Sequence, residues 1–119
     1  MIVVDTSVWV EHLKAGDPEL ARLLNDGQVL GHPFVLGELA LGGLRNRKGV
    51  LEAMAGLPQA VVATHEEVVA LIDGRALWGR GVGFVDAHLL ASTTLSGARL
   101  WTRDRGLAAV AADLDLARL

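Results

Sequence analysis

The sequence predicts an α/β domain, a short and mostly parallel sheet flanked by helices. Two observations carry that expectation: short apolar runs alternate with amphipathic stretches, and helix caps and stop signals bound those stretches. A third agrees with them, because no linker, internal repeat or low-complexity segment interrupts the 119 residues. One domain over 1–119 is expected at this length, able to bury roughly two thirds of its unfolded surface without cross-links.

Each element has its own warrant. Residues 2–4, Ile-Val-Val, form a first strand that ends at Asp5, and Thr6 or Ser7 can cap a helix through Trp9, Val10 and Leu13. Asp17-Pro18 sets an N-cap before Pro at the first helical position, and Leu20, Leu23 and Leu24 give that helix one apolar stripe before Gly27 stops it. A brief strand at 28–30 precedes a helix over 33–44, opened by Pro33 and weakened at its end by Gly42-Gly43. A fourth helix covers 47–55, closed by Gly56 and Pro58, and 60–63 is a strand candidate. Thr64 and Glu67 fit a capping box, in which hydroxyl and carboxylate satisfy free amides of a helix reaching about Trp78. Gly79, Gly81 and Gly83 make a loose loop. A helix over 84–95, a strand at 99–102, a helix over 105–112 and a short strand at 114–116 complete the pattern.

Composition excludes several classes of function. With no cysteine, the chain has no disulfide, zinc knuckle or thiol nucleophile. No apolar run approaches the ~20 residues of a membrane span and no basic leader precedes the first strand, so a soluble cytoplasmic protein is expected. The hydrophobic share of 51% is high for so small a domain and predicts apolar surface covered by a partner or a second copy. The net charge of −3 argues against a simple basic clamp on nucleic acid.

Attention therefore falls on the acids. Asp5, Glu38 and Asp86 each stand alone in apolar surroundings, where an ionised carboxylate is costly unless something compensates it. Asp104 sits between Arg103 and Arg105. Singly, each has a plain structural role: Asp5 and Asp104 as helix caps, Asp86 in a first helical turn, Glu38 on a solvated face. Jointly they point further. In a parallel sheet, ligands gather at the carboxyl ends of strands, and four acids converging there would repel one another unless a divalent cation neutralised them. Oxygen-only ligands select Mg²⁺ or Mn²⁺.

The order Ile2-Val3-Val4-Asp5-Thr6-Ser7, Glu38, Val85-Asp86-Ala87-His88, Thr102-Arg103-Asp104 resembles that of PIN-domain ribonucleases, specifically the VapC-type toxins of type II toxin–antitoxin pairs. The resemblance spans essentially the whole chain, with Gly106-Leu107 after Asp104 as a less usual feature. It implies a PIN-like three-layer sandwich that holds one or two Mg²⁺ or Mn²⁺ ions and cuts single-stranded RNA, leaving a 5′-phosphate and a 3′-hydroxyl. Asp5 and Asp86 would be direct ligands, with Glu38 and Asp104 acting directly or through water. The hydroxyls of Thr6, Ser7 and Thr102 would position acids or water. The resemblance further implies a homodimer and a groove for a VapB-type antitoxin, expected on helices around 20–24 and 35–57.

The remaining signals are weighed beside it. Arg45, Arg47 and Lys48 are the densest basic cluster, and Arg103 and Arg105 bracket Asp104, so these five are the candidate RNA contacts, although solvated helix ends carry such residues routinely. Trp9, Trp78 and Trp101 could stack bases, but in apolar company at helical or strand spacing they are expected in the core, and His12, His32, His65 and His88 as structural residues. A haloacid-dehalogenase-like hydrolase wants an acid two residues after the first, where Ser7 stands, and a receiver domain wants a late lysine, whereas the lysines are Lys14 and Lys48. A PIN module that binds without cutting, and a structure-specific DNA nuclease, stay as alternatives. Setting aside the four candidate ligands leaves ten acids against eleven basic residues, so the net acidity is partly that of the site.

Overall fold

The computed structural model describes residues 1–118. Its elements run β1 Ile2–Val4, α1 Thr6–Ala15, α2 Pro18–Asn25, β2 Val29–Leu30, α3 Pro33–Ala40, α4 Arg47–Ala55, α5 His65–Gly74, α6 Phe84–Leu95, β3 Arg99–Trp101 and α7 Arg105–Asp113. The three strands form one parallel sheet in the order β2-β1-β3. Val3 pairs with Leu30 on one side and with Leu100 on the other. Val3 and Val4 point to opposite faces of β1, and both are buried, so helices cover the sheet on both sides.

The cap chemistry expected from the sequence is in place at most helix starts. Asp17 accepts from the amides of Glu19 and Leu20, with Pro18 at the first helical position, and Thr64 and Glu67 form a reciprocal capping box on α5. Helix α6 is the central element. Seven consecutive residues, Ala87 to Thr93, are buried, which is the signature of a helix packed on all sides. It packs against α5, β1 and β3. Leu89 and Leu90 are fully buried, and burying a leucine contributes about 2 kcal/mol.

Four expectations are corrected. Residues 60–63 are not a strand: the one parallel bridge, Gly31 to Gln59, precedes them, and the amides of Val61 and Ala63 turn to the hydroxyls of Ser96, which caps the end of α6, and Ser92 within it. Residues 114–116 likewise yield a single bridge, Leu100 to Ala117, after a left-handed turn at Asp115. Helix α3 stops at Ala40, before Gly42-Gly43. Helix α5 stops at Gly74, because Ala76 adopts a left-handed φ of 53° and the Leu77 amide closes back on the Ile72 carbonyl at 3.0 Å.

The apolar excess divides between core and surface. Leu20 and Leu23 of α2, and Val35 and Leu39 of α3, face inward and belong to the core. The most exposed apolar residues are Leu41, which lies within the expected stretch 35–57, and Trp78, Val61 and Val62, which lie outside it. No helix among the described residues is long and apolar enough to cross a membrane.

Candidate active site

The carboxyl ends of β1 and β3 lie side by side, and the site grows from that edge. Asp5 follows the last residue of β1, and its amide donates to the Trp101 carbonyl of β3 at 2.9 Å. Its side chain is nearly buried, at 7% exposure. Although Asp5 occupies the N-cap position of α1, its carboxylate makes no cap hydrogen bond. Instead, Asp5 Oδ2 accepts from Ser7 Oγ at 2.7 Å and from Thr102 Oγ1 at 2.8 Å. Those two hydroxyls stand 3.3 Å apart and also accept from the chain that follows β3, Ser7 Oγ from the Arg103 amide and Thr102 Oγ1 from the Asp104 amide, each at 3.0 Å. One small network therefore ties the end of β1 to the end of β3.

Of the other three acids, Asp86 and Glu38 arrive on helices and Asp104 stands just before one. Asp104 caps α7, with Oδ1 accepting from the Leu107 amide at 2.9 Å. A Cβ built on Gly106 would stand only 3.3 Å from that same oxygen, so a small residue there leaves the carboxylate room. Asp86, in the first turn of α6, accepts from the Gly83 amide at 3.1 Å. Glu38 is exposed on α3, and its Oε1 accepts from Thr6 Oγ1 at 2.7 Å. The plain structural roles thus hold for Asp86 and Asp104, and the capping role fails for Asp5.

Asp86 registers the convergence electrostatically. Its carboxyl is pushed up from its ordinary range, first by burial and then by the negative charges of Asp5, Asp104 and Glu38, with the Gly83 hydrogen bond opposing. None of the four acids has a cationic partner among the described residues. Of the two arginines that flank Asp104, Arg103 is committed to Asp17 at 2.5 Å, and Arg105 makes no ion pair among the described residues. No three of the described carboxylates and imidazoles are drawn close enough to enclose an ion by themselves. The arrangement is an open oxygen-rich edge with unbalanced negative charge. Such a donor set fits Mg²⁺ or Mn²⁺, which bind through one or two carboxylates and keep several waters.

The other sequence candidates are scattered. Arg45, in the turn after α3, and Arg47 and Lys48, which open α4, are exposed; the Arg47 guanidinium donates to the Ala40 carbonyl, and no hydrogen bond joins the three to the acids. Arg105 is exposed at the start of α7. Trp9 is buried as expected, and Trp101 is partly buried beneath the Arg118 guanidinium at 4.4 Å. Trp78 is not a core residue: the left-handed turn after α5 sends Leu77 inward and leaves Trp78 outside, 67% exposed.

Two features go beyond what the residue order indicates. His32 is fully buried, caps α3 by accepting the Phe34 amide at Nδ1, and meets Ser92 Oγ at 3.0 Å through Nε2. Burial, then the neighbouring His88, pushes its pKa down to about 4, so it is neutral in the folded protein. The second is the Gly83 amide that holds Asp86. The spacing of an N-cap glycine and an acid three residues later was the available signal for it.

The parallel sheet with acids at its carboxyl edge defines a class, and comparison gives that class its name. Residues 2–113 match the PIN domain, so the chain belongs to the PIN-domain family. Within that family it is of the VapC type, being 53% identical over 118 residues to ribonuclease VapC32 of Mycobacterium tuberculosis, as found in strains CDC 1551 and H37Rv. The alignment covers 98% of this chain and 95% of that relative.

Proposed function

We propose that this chain is a divalent-metal-dependent endoribonuclease of the toxin class, cutting single-stranded regions of RNA. Similarity to a VapC ribonuclease supports the substrate, and the charge environment of Asp86 carries the metal dependence. A half-buried carboxyl pressed by three other acids, none with a cationic partner among the described residues, is relieved by a bound dication. Asp5 and Asp86 are the direct ligands in this reading, with Glu38 and Asp104 acting directly or through water. A bound ion supplies the charge that shields the phosphate and acidifies the attacking water. Ser7 and Thr102 hold Asp5 Oδ2 in a fixed orientation, and Thr6 does the same for Glu38.

The RNA backbone is met by Arg45, Arg47, Lys48, Arg103 and Arg105, the last two beside Asp104. A VapB-type antitoxin restrains the activity, and the toxin works in the cytoplasm as a homodimer. The exposed apolar residues Val10, Leu13 and Leu41 support that pairing, since burial favours covering them.

The test is cleavage of a single-stranded RNA in Mg²⁺ or Mn²⁺, its loss in EDTA, and its loss in Asp5→Asn and Asp86→Asn, with 5′-phosphate ends on the products. Cleavage that survives both substitutions would remove the proposed site. No cleavage at all, with RNA bound, would make the chain a binding module. Neutralising Arg45, Arg47 and Lys48 together is expected to lower the salt dependence of single-strand binding by about two units of log–log slope. An unchanged slope removes those three from the footprint.

A further inference from the structure

Two exposed aromatic residues stand beside the acids with no role in the reaction described above. Trp78 is the most exposed of the three tryptophans, and Phe84 is 48% exposed. They line one recess of about 160 Å³, together with Ile72, Gly79, Val82 and Gly83. The recess adjoins the acid edge directly. Gly83, which lines it, donates its amide to Asp86, and a Cβ built on Gly83 would stand 3.9 Å from Asp86 Oδ2. On the other side of the glycine loop, the Gly81 carbonyl lies 4.0 Å from the Cβ position of Gly106, two residues beyond Asp104.

The backbone is bent to present this pair. Ala76 at φ 53° is left-handed without being glycine, a strained conformation, and Gly79 and Gly81 follow at 72° and 79°. Three left-handed residues within six turn Trp78 out while its neighbour Leu77 stays buried. Phe84 is braced in place, its ring edge-to-face with His88 at 4.9 Å and tilted against His65 at 5.6 Å. Two neighbouring cations are already engaged, Arg80 with Asp113 and Arg103 with Asp17. Arg105, exposed beside Asp104 and in no ion pair among the described residues, is left to meet a phosphate, and base–aromatic stacking adds a source of strand binding that needs no charge.

We propose that Trp78 and Phe84 form a stacking subsite for an unpaired base of the RNA adjacent to the cleaved phosphate. The subsite rests on the ribonuclease reading, because a phosphate placed at Asp86 leaves the recess within one nucleotide's reach. It reads no base identity, since every base has a stacking face, and it requires that the base be unpaired. That requirement gives the preference for single-stranded substrate a physical cause in this chain.

The decisive experiment uses the full chain and a short single-stranded RNA in Mn²⁺. Trp78→Ala is expected to lower kcat/KM about tenfold or more, mainly through KM, and Trp78→Phe to restore most of the loss. Phe84→Ala is expected to act in the same direction. Replacing each nucleotide in turn by an abasic analogue supplies the readout that a structural role would not move. At one position beside the cut, the abasic substitution should cost the unaltered chain as much as Trp78→Ala costs on intact RNA, and should cost Trp78→Ala little more. Unchanged kcat/KM in Trp78→Ala and Phe84→Ala, or losses that add at every position, overturn the subsite. So does a loss that tracks dissociation of a dimer in light scattering, which assigns Trp78 to a protein interface. Binding of the same labelled RNA to Asp86→Asn, with and without Trp78→Ala, reads the contact without chemistry, so failure of cleavage and failure of the subsite are told apart.

Discussion

Two corners of this fold share a plan and use it differently. In each, a short parallel strand ends, an aspartate follows, and a helix begins: Asp5 between β1 and α1, Asp104 between β3 and α7. Asp104 does what such an aspartate usually does and caps its helix through Oδ1. Asp5 leaves its helix uncapped and spends one oxygen on two hydroxyls, Ser7 and Thr102. The difference shows that local pattern sets where an acid stands, whereas the neighbouring strand sets what its carboxylate is free to do. A third corner sharpens the contrast. Between β2 and α3 the capping residue is His32, a titratable ring sealed in the core.

Breaking the first corner gives the largest expected effect. Asp5→Asn should reduce RNA cleavage by at least on the order of a hundredfold, because a direct ligand contributes several kcal/mol. Its melting temperature should move little, since the amide oxygen still accepts from both hydroxyls and no cap is lost. A large drop in melting temperature would mean that Asp5 is structural after all.

The His32 corner should respond to pH. Between pH 6.5 and about 4 the unfolded chain takes up a proton at His32 that the folded chain refuses, so stability is present above 6.5 and falls as acid is added. The loss is up to about 1.4 kcal/mol per pH unit, and protonation at Nδ1 also ends its acceptance of the Phe34 amide. Urea unfolding at a series of pH values should show this slope, and His32→Asn, which can still cap, should flatten it. An equal slope in both chains would assign the acid sensitivity to other groups.

Ser7→Ala and Thr102→Val act on Asp5 only through orientation. Each is expected to weaken Mn²⁺ binding or cleavage by about 10- to 100-fold. The double variant should lose less than the product, because both hydroxyls serve the same oxygen. Strictly multiplicative losses would show that the two hydroxyls act independently of each other and not through one shared oxygen.

The smallest effect belongs to the capping corner. Asp104→Ala should cost about 1 kcal/mol from the lost cap, seen as a melting temperature lower by roughly 3–6 °C, while Asp104→Asn keeps the cap and the stability. If Asp104 also serves the reaction, Asp104→Asn will be a stable chain with weakened cleavage. Cleavage unchanged in both variants would confine Asp104 to capping.

Much of this molecule can be read from the order of its residues. The apolar triplet at 2–4, the Pro18 and Pro33 helix starts and the Thr64–Glu67 box all mark elements that the structure contains, because caps and apolar period act over a few neighbouring residues. The segment 60–63 shows where such reading stops. Its composition suits a strand, but the serines that claim its amides lie some thirty residues away on α6. Trp78 departs from the core for the same kind of reason: an apolar ring is normally core, and the left-handed turn at Ala76 carries it outside.

The sequence by itself determined that acids would follow β1 and β3, that helices would start where their caps stand, and that the chain carries a PIN-type order of acids. Tertiary structure alone decided that Asp5 binds no helix, that Asp86 feels three other acids, and that an aromatic pair opens beside them. The physical reason is range. Capping and periodicity are settled between residues a few positions apart, while hydroxyl partners and carboxylate repulsion depend on which strand ends the fold brings together.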